Sequence, residues 1–325
     1  MKLKFNSPMH AVGHALGVAV ILISSSAQAQ NLFVADGSYV TEITPGGVQS
    51  EFADLVYPSG LAFDSAGNLF VSSGDARPVL GDITPSGTTG SFSSGLLFWP
   101  VVPAINGAGD LFVAVGGGRS YGGSGSGNIY EFTPGGAQST FASGLSNDPF
   151  GLAFNRAGNL FSVDGNSIYE YSPGGARSTF ASGLNQPRGL AFNNSGDLFV
   201  TAGGSIYEYT PGGTQSTFAS GLNDPFGLAF NDAGNLFAAD GNSIYEFTPG
   251  GAQSTFASGL LSPATYIAFT PYINIQCNIV PVPEPSALGL LAVGAVALLV
   301  RRRYAMLAKP GQMQRLRVSS RKRFR

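Results

Sequence analysis

Residues 197–234 read DLFVTAGGSIYEYTPGGTQSTFASGLNDPFGLAFNDAG, and this stretch decides the fold. It returns at 159–196 and again from 235, and looser copies begin at Asn31, Asn68 and Asp110. A period of this size means stacked copies of one supersecondary unit. Four short runs within the unit, at 198–201, 205–209, 215–219 and 227–231, are separated by turn signals. Runs of this length, rich in Phe, Tyr, Ile and Val, predict strands, and none reaches the ten or so residues of an amphipathic helix.

The turns have their own chemistry. TPGG at 210–213 puts Pro where a turn wants φ near about −65° and Gly where a type II turn demands positive φ. The same tetrapeptide starts at Thr44, Thr133 and Thr248, with SPGG at Ser172. NDAG at 231–234 predicts a type I turn closed by a left-handed Gly, and 64–67, 155–158 and 193–196 repeat it. Four antiparallel strands joined by tight hairpins make one blade of a β-propeller.

The first motif, [ND]-L-F, starts at 31, 68, 110, 159, 197 and 235, which counts six units. The G-L-A-F-like motif also occurs six times, at Gly60, Val102, Gly151, Gly189, Gly227 and Tyr266. The chain therefore enters on the second strand of a blade and leaves on a first strand. The expected architecture is an all-β, six-bladed propeller closed by pairing of 266–270 with 32–35, flanked by an N-terminal signal helix and a C-terminal hydrophobic helix. Closure leaves no long exposed edge. An open β-solenoid is the structural alternative.

The pattern G-L-A-F-N-x-x-G-N-L-F-x-x-D-G-N-S-I-Y-E-F resembles the NHL-type repeat and the related gluconolactonase and streptogramin-lyase propellers, over about residues 31–270. That fold hosts many activities, so the resemblance speaks to architecture more than to function.

Residues 1–29 read as a secretory signal peptide: Lys2 and Lys4, an apolar core at 15–23, then Ala27-Gln28-Ala29 as a small-x-small cleavage site. Residues 30–276 are the propeller and 277–282 a linker. The segment 283–303 combines Pro283-Glu284-Pro285, an apolar run at 287–300 and Arg301-Arg302-Arg303. It resembles the PEP-CTERM sorting signal. That resemblance implies an exosortase-type processing enzyme as partner, transient membrane insertion through 287–300 and delivery to the envelope. A short apolar helix with cytoplasmic arginines fits that topology. Residues 304–325 form a basic tail, a departure from such signals, which end soon after the arginines.

The formal net charge of −2 conceals an asymmetry. Residues 31–280 hold eighteen Asp and Glu against five Arg and no Lys, thirteen negative charges in excess. An acidic domain of this kind excludes nucleic acid, whose phosphates need Lys and Arg. It suits cations or neutral glycans. The single cysteine, Cys277, rules out an internal disulfide. Both histidines, His10 and His14, lie in the signal peptide. The propeller thus has no histidine for a Ser-His-Asp triad, for acid–base work or for a metal.

The gluconolactonase resemblance implies a divalent metal in the central channel, held by Asn or Asp just before the Gly of the innermost strand. Here those positions are Ser59, Val101, Phe150, Arg188, Phe226 and Thr265, which do not match. Asp36, Asp164 and Asp240 end second strands near the channel mouth, where three carboxylates converging could hold Ca²⁺. Turn-making with the following Gly-Asn backbone is the other reading. Glu42, Asp82, Glu131, Glu170, Glu208 and Glu246 share one third-strand position, expected on a solvated rim.

The loops between strands two and three, and between blades, emerge on one face. Trp99, Arg119, Tyr121, Arg188, Asp148 and Asp224 are the candidate ligand residues there, since rings stack on sugars while polar groups bond hydroxyls. Phe98, Phe150 and Phe226 could equally plug the loops. The expected function is an exported binding or structural protein for exopolysaccharide or another surface component. The alternative is a lactonase-like hydrolase with Ca²⁺ at the channel mouth.

Overall fold

The computed structural model describes residues 30–37, 39–55, 57–73, 79–94, 100–116, 127–145 and 149–271. The signal peptide, linker, sorting segment, basic tail and both terminal helices expected from sequence lie outside these residues.

Each repeat folds as a four-stranded antiparallel sheet. Blade one contains β1 (Leu32–Ala35), β2 (Tyr39–Ile43) and β3 (Gln49–Asp54). Blade two is β4 (Pro58–Phe63), β5 (Leu69–Ser73), β6 (Val79–Ile83) and β7 (Thr89–Ser94). Blade three is β8 (Pro100–Ile105), β9 (Leu111–Val115), β10 (Gly127–Phe132) and β11 (Gln138–Leu145). Blade four is β12 (Leu152–Phe154), β13 (Leu160–Asp164), β14 (Ser167–Tyr171) and β15 (Arg177–Ser182). Blade five is β16 (Leu190–Phe192), β17 (Leu198–Ala202), β18 (Ser205–Tyr209) and β19 (Gln215–Ser220). Blade six is β20 (Pro225–Phe230), β21 (Leu236–Asp240), β22 (Ser243–Phe247) and β23 (Gln253–Ser258). The last strand, β24 (Tyr266–Phe269), is the innermost strand of blade one, in the order β24-β1-β2-β3.

Ring closure therefore follows the expected pairing. Leu32 stands opposite Phe269 and Ala35 opposite Tyr266. The Thr265 amide and hydroxyl both donate to the Ala35 carbonyl, at 2.9 and 3.1 Å. Gln30 clips the seam from outside: its Nε2 donates to the Thr270 carbonyl at 2.6 Å, and its Oε1 accepts from the Asp232 amide at 2.8 Å.

The repeated motifs find their reason between blades. The second-strand Phe of each blade packs edge-on against the fourth-strand Phe of its own blade. It also meets the first-strand Phe of the next. Phe199 meets Phe218 and Phe230 with ring centroids 5.0 and 5.1 Å apart, and Phe237 meets Phe256 and Phe269 at 5.0 and 4.8 Å. Phe33, Phe112 and Phe161 repeat the arrangement. In blade three Ile105 takes the first-strand place, packed into the cluster of Phe70 and Phe132. Edge-to-face pairs of this kind add about 0.5–1.5 kcal/mol each beyond area burial. Second strands such as β13 and β21 are buried throughout, whereas fourth strands such as β19 are largely exposed.

One turn differs from expectation. In TPGG the positive φ falls on the second Gly, not the first: Gly47, Gly213 and Gly251 have φ of 77°, 83° and 81°. The Gly47 amide donates to the Thr44 carbonyl at 2.8 Å, and the Thr44 amide to the Val48 carbonyl at 2.9 Å. The turn is therefore type I followed by a left-handed Gly, the same form as NDAG, where Gly234 has φ of 82°. The right-handed twist of the hairpin selects that geometry, and a type II turn would splay the strands.

Candidate functional site

Around the axis the innermost strands of neighbouring blades meet backbone to backbone. A Cβ on Gly227 would lie 2.7 Å from the Thr265 carbonyl oxygen and 2.9 Å from Tyr266 Cα. One on Gly189 would run into the Phe226 carbonyl oxygen, and one on Gly151 into that of Arg188. Glycine at 151, 189 and 227 is thus demanded by close approach. Tyr266 stands at the same register in blade one, where its ring is buried against Phe226. Its hydroxyl donates to the Phe150 carbonyl at 2.8 Å. Burial pushes the Tyr266 phenol far above its usual range, partly opposed by the Arg188 charge.

Arg188, Phe226, Phe150 and Tyr266 come together at this mouth. The Arg188 guanidinium lies 4.4 Å from the Phe226 ring centroid. Phe226 packs edge-on to Tyr266 at 5.4 Å and to Phe150 at 6.3 Å. Arg188 Nη1 is 2.6 Å from Asp224 Oδ1, with the two side chains 22% and 62% exposed. Phe150 is 36% exposed. Phe226 is thus packing and Phe150 surface, although sequence offered the same two readings for both. Below them Thr201, fully buried, accepts from the Gly189 amide and donates to the Phe226 carbonyl, each at 2.8 Å. This bridge fastens blade five to blade six beneath Arg188.

The structure gives two of the three candidate metal aspartates, Asp36 and Asp240, other work. All three are buried, on blades one, four and six. Among the described residues no group of three His, Cys, Asp or Glu is placed to hold a metal ion. Asp240 Oδ1 accepts the Asp224 amide at 2.6 Å and Oδ2 the Asn223 amide at 3.0 Å. Its carboxylate pins the incoming interblade loop, rather than making a turn with the Gly241-Asn242 backbone. Asp36 Oδ2 accepts from Thr41 Oγ1 at 2.8 Å, while Oδ1 is buried without a hydrogen-bond partner. Burial raises the Asp36 pKa above the ordinary carboxylate value, with the Thr41 and Tyr39 hydrogen bonds opposing. Asp36, Asp164 and Asp240 therefore do not assemble the Ca²⁺ site expected as an alternative. Their strands belong to separate blades and the oxygens of Asp240 are engaged.

The third-strand carboxylates are also more than a solvated rim. Asn31, Asn159 and Asn235 donate through Nδ2 to Glu42, Glu170 and Glu246 at 2.6, 2.7 and 2.7 Å. Blade five has Asp197 in place of that Asn, next to Glu208. Burial first, and the Asp197 charge second, raise the Glu208 pKa.

Of the six candidate ligand residues, the structure brings Arg188 and Asp224 into contact. Trp99, Arg119, Tyr121 and Asp148 lie outside the described residues, as do Pro283, Glu284, Pro285, Arg301, Arg302 and Arg303. Sequence reasoning missed the roles of Thr201 and Tyr266. The break in the glycine register at 266 was the available signal for the second.

Residues 281–303 match the PEP-CTERM protein-sorting motif. This sorting motif, a recognition signal for exosortase, marks an exported surface protein whose C-terminus is membrane-anchored before sorting. No curated protein sequence matches the chain. Solved structures similar to it include a gluconolactonase from Xanthomonas campestris, at TM-score 0.59 and 17% identity, covering 67% of this chain and 79% of that one. A putative gluconolactonase is similar at TM-score 0.58 and 18% identity, covering 72% and 87%. Virginiamycin B lyase from Staphylococcus aureus is similar at TM-score 0.53 and 16% identity, covering 66% and 77%. These likenesses concern the fold. A catalytically inactive form of that lyase carries alanine in place of a histidine, whereas here histidine occurs only at 10 and 14.

Proposed function

We propose that this chain is an envelope-associated β-propeller that acts by binding, with exopolysaccharide or another surface component as its ligand. The mouth cluster carries the reading. Arg188 lies on the Phe226 ring and pairs with Asp224, beside a partly exposed Phe150. Aromatic surface next to fixed donors and acceptors is the combination that sugar recognition uses. The acidic propeller and its lack of lysine argue against nucleic acid. Trp99, Arg119, Tyr121 and Asp148 extend the proposed ligand surface. Pro283, Glu284, Pro285 and Arg301–Arg303 serve recognition by the exosortase-type enzyme, with 287–300 in the membrane until sorting. A lactonase-like hydrolase with Ca²⁺ finds no support in the described donor set.

A glycan array probed with the exported chain tests the reading. Binding that falls on Arg188→Ala, Trp99→Ala and Tyr121→Ala supports it. No bound glycan, or equal binding by the variants, counts against it.

A further inference from the structure

We infer that the mouth takes a neutral sugar through a vicinal diol, and discriminates against uronates and amino sugars; this rests on the mouth being the ligand surface. The charge balance points there first. At the mouth register the residues are Ser59, Val101, Phe150, Arg188, Phe226 and Thr265, so Arg188 is the one basic side chain among them. Its charge is already compensated by Asp224 at 2.6 Å. Among the described residues at this register an incoming carboxylate meets only a guanidinium already paired, and it approaches a domain with thirteen excess negative charges. An incoming ammonium meets a carboxylate already paired with guanidinium.

The second argument is preorganisation. Asp224 is held from two sides: its amide is bound by the buried Asp240 carboxylate, and its Oδ1 by Arg188. Its side chain is nevertheless 62% exposed. A fixed, exposed carboxylate is an acceptor for sugar hydroxyls that needs little ordering on binding. The guanidinium beside it supplies N–H donors to the same hydroxyl oxygens. Phe150, 36% exposed and 6.3 Å from the Phe226 ring, offers an apolar surface for the C–H face of a pyranose. Acceptor, donor and apolar face together match a neutral diol. In this arrangement Asp240 is a positioning residue, acting through Asp224.

The experiment titrates the full exported chain with three neutral polymers (dextran, galactomannan, levan), polygalacturonate and chitosan oligomers, at about 50 mM and about 500 mM salt, on either side of strong screening. Expected is binding of a neutral polymer that changes less than about twofold with salt and weakens about tenfold in Asp224→Asn. Asp240→Asn weakens it by a similar factor, with a salt response still flat. Should Asp240→Asn fail to fold, the exposed Asp224→Asn carries the test alone. Tighter binding of polygalacturonate or chitosan, lost at high salt, overturns the neutral class and leaves the mouth as ligand surface. Neutral-polymer binding untouched by Asp224→Asn, or binding to none of the five, overturns both.

Discussion

The Tyr266 hydroxyl donates to the Phe150 carbonyl at 2.8 Å, joining residues 116 positions apart across the propeller axis. Two blades break the glycine register, blade three with Val102 and blade one with Tyr266, and the Tyr266 ring packs on Phe226 while its hydroxyl reaches the opposite blade. Tyr266→Phe removes the bond and leaves a partly buried carbonyl without that donor. Equilibrium denaturation is expected to show a loss of about 1 kcal/mol. Tyr266→Ala, which also opens a cavity, is expected to cost about 3–5 kcal/mol. Unchanged stability in both variants would mean that the Tyr266 ring and its bond contribute nothing to closure.

Axial glycines tolerate no side chain. Gly189→Ala and Gly227→Ala place a methyl group against the backbone of the next blade, and backbone has nowhere to rotate. Each is expected to lower stability by at least about 1–3 kcal/mol. Gly213→Ala is the control for clash, since a Cβ there meets nothing within 4 Å. Its cost, from positive φ alone, is expected to be smaller, about 1 kcal/mol.

Blade five carries Asp197 beside Glu208 where blades one, four and six carry an Asn–Glu hydrogen bond. Asp197→Asn is expected to restore that bond and to stabilise by about 0.5–1 kcal/mol. The pH dependence follows from the direction of the Glu208 shift, which is upward. A carboxyl whose folded pKa is raised contributes its full stability below the unfolded value. That contribution is lost as pH rises through the folded value. Wild-type stability is therefore expected to decline just above the ordinary glutamate range, and this decline to shrink in Asp197→Asn. Denaturation midpoints across pH 4 to 7, about the glutamate pKa and above it, make the measurement.

Asp36 obeys the same sign and for the same leading reason, burial, but with hydrogen bonds opposing the shift where Glu208 has a neighbouring charge adding to it. Its contribution is fullest below the unfolded aspartate pKa and falls as pH rises through the folded one. Asp36→Asn keeps an acceptor for Thr41 and cannot ionise. The variant is expected to lose this segment of the pH profile, which differential scanning at several pH values reads directly.

The sorting motif makes a prediction about mass. Intact mass spectrometry of the exported chain is expected to show loss of the arginines at 301–303. Replacing Pro283, Glu284 and Pro285 with alanine is expected to leave the chain unprocessed in the membrane fraction. A full-length exported species would overturn the proposed processing.

How much of this could be read from residues alone follows from range. Blade number, strand order and the pairing of Leu32–Ala35 with β24 were legible, because hairpin turns and apolar runs are local and repeat in register. The aromatic motif was visible in GLAF, NLF and STF, though not its purpose, because each Phe partners a ring from another strand or another blade. The type of the TPGG turn was misjudged from its composition: with two adjacent glycines, only the twist of the flanking strands selects which takes positive φ. The mouth was partly visible, since loop order alone put Arg188 and Asp224 on one face.

The sequence by itself determined a closed ring of six four-stranded sheets, an acidic propeller without histidine, and a C-terminal sorting motif, because these depend on period, composition and contiguous residues. Only the tertiary structure decided that Asp240 holds an interblade loop, that Asp36, Asp164 and Asp240 form no metal-holding group of three, and that Arg188 lies on Phe226 while pairing with Asp224. Those relations join side chains from different turns of the repeat. Their partners are chosen by how blades pack around the axis, which no local pattern records.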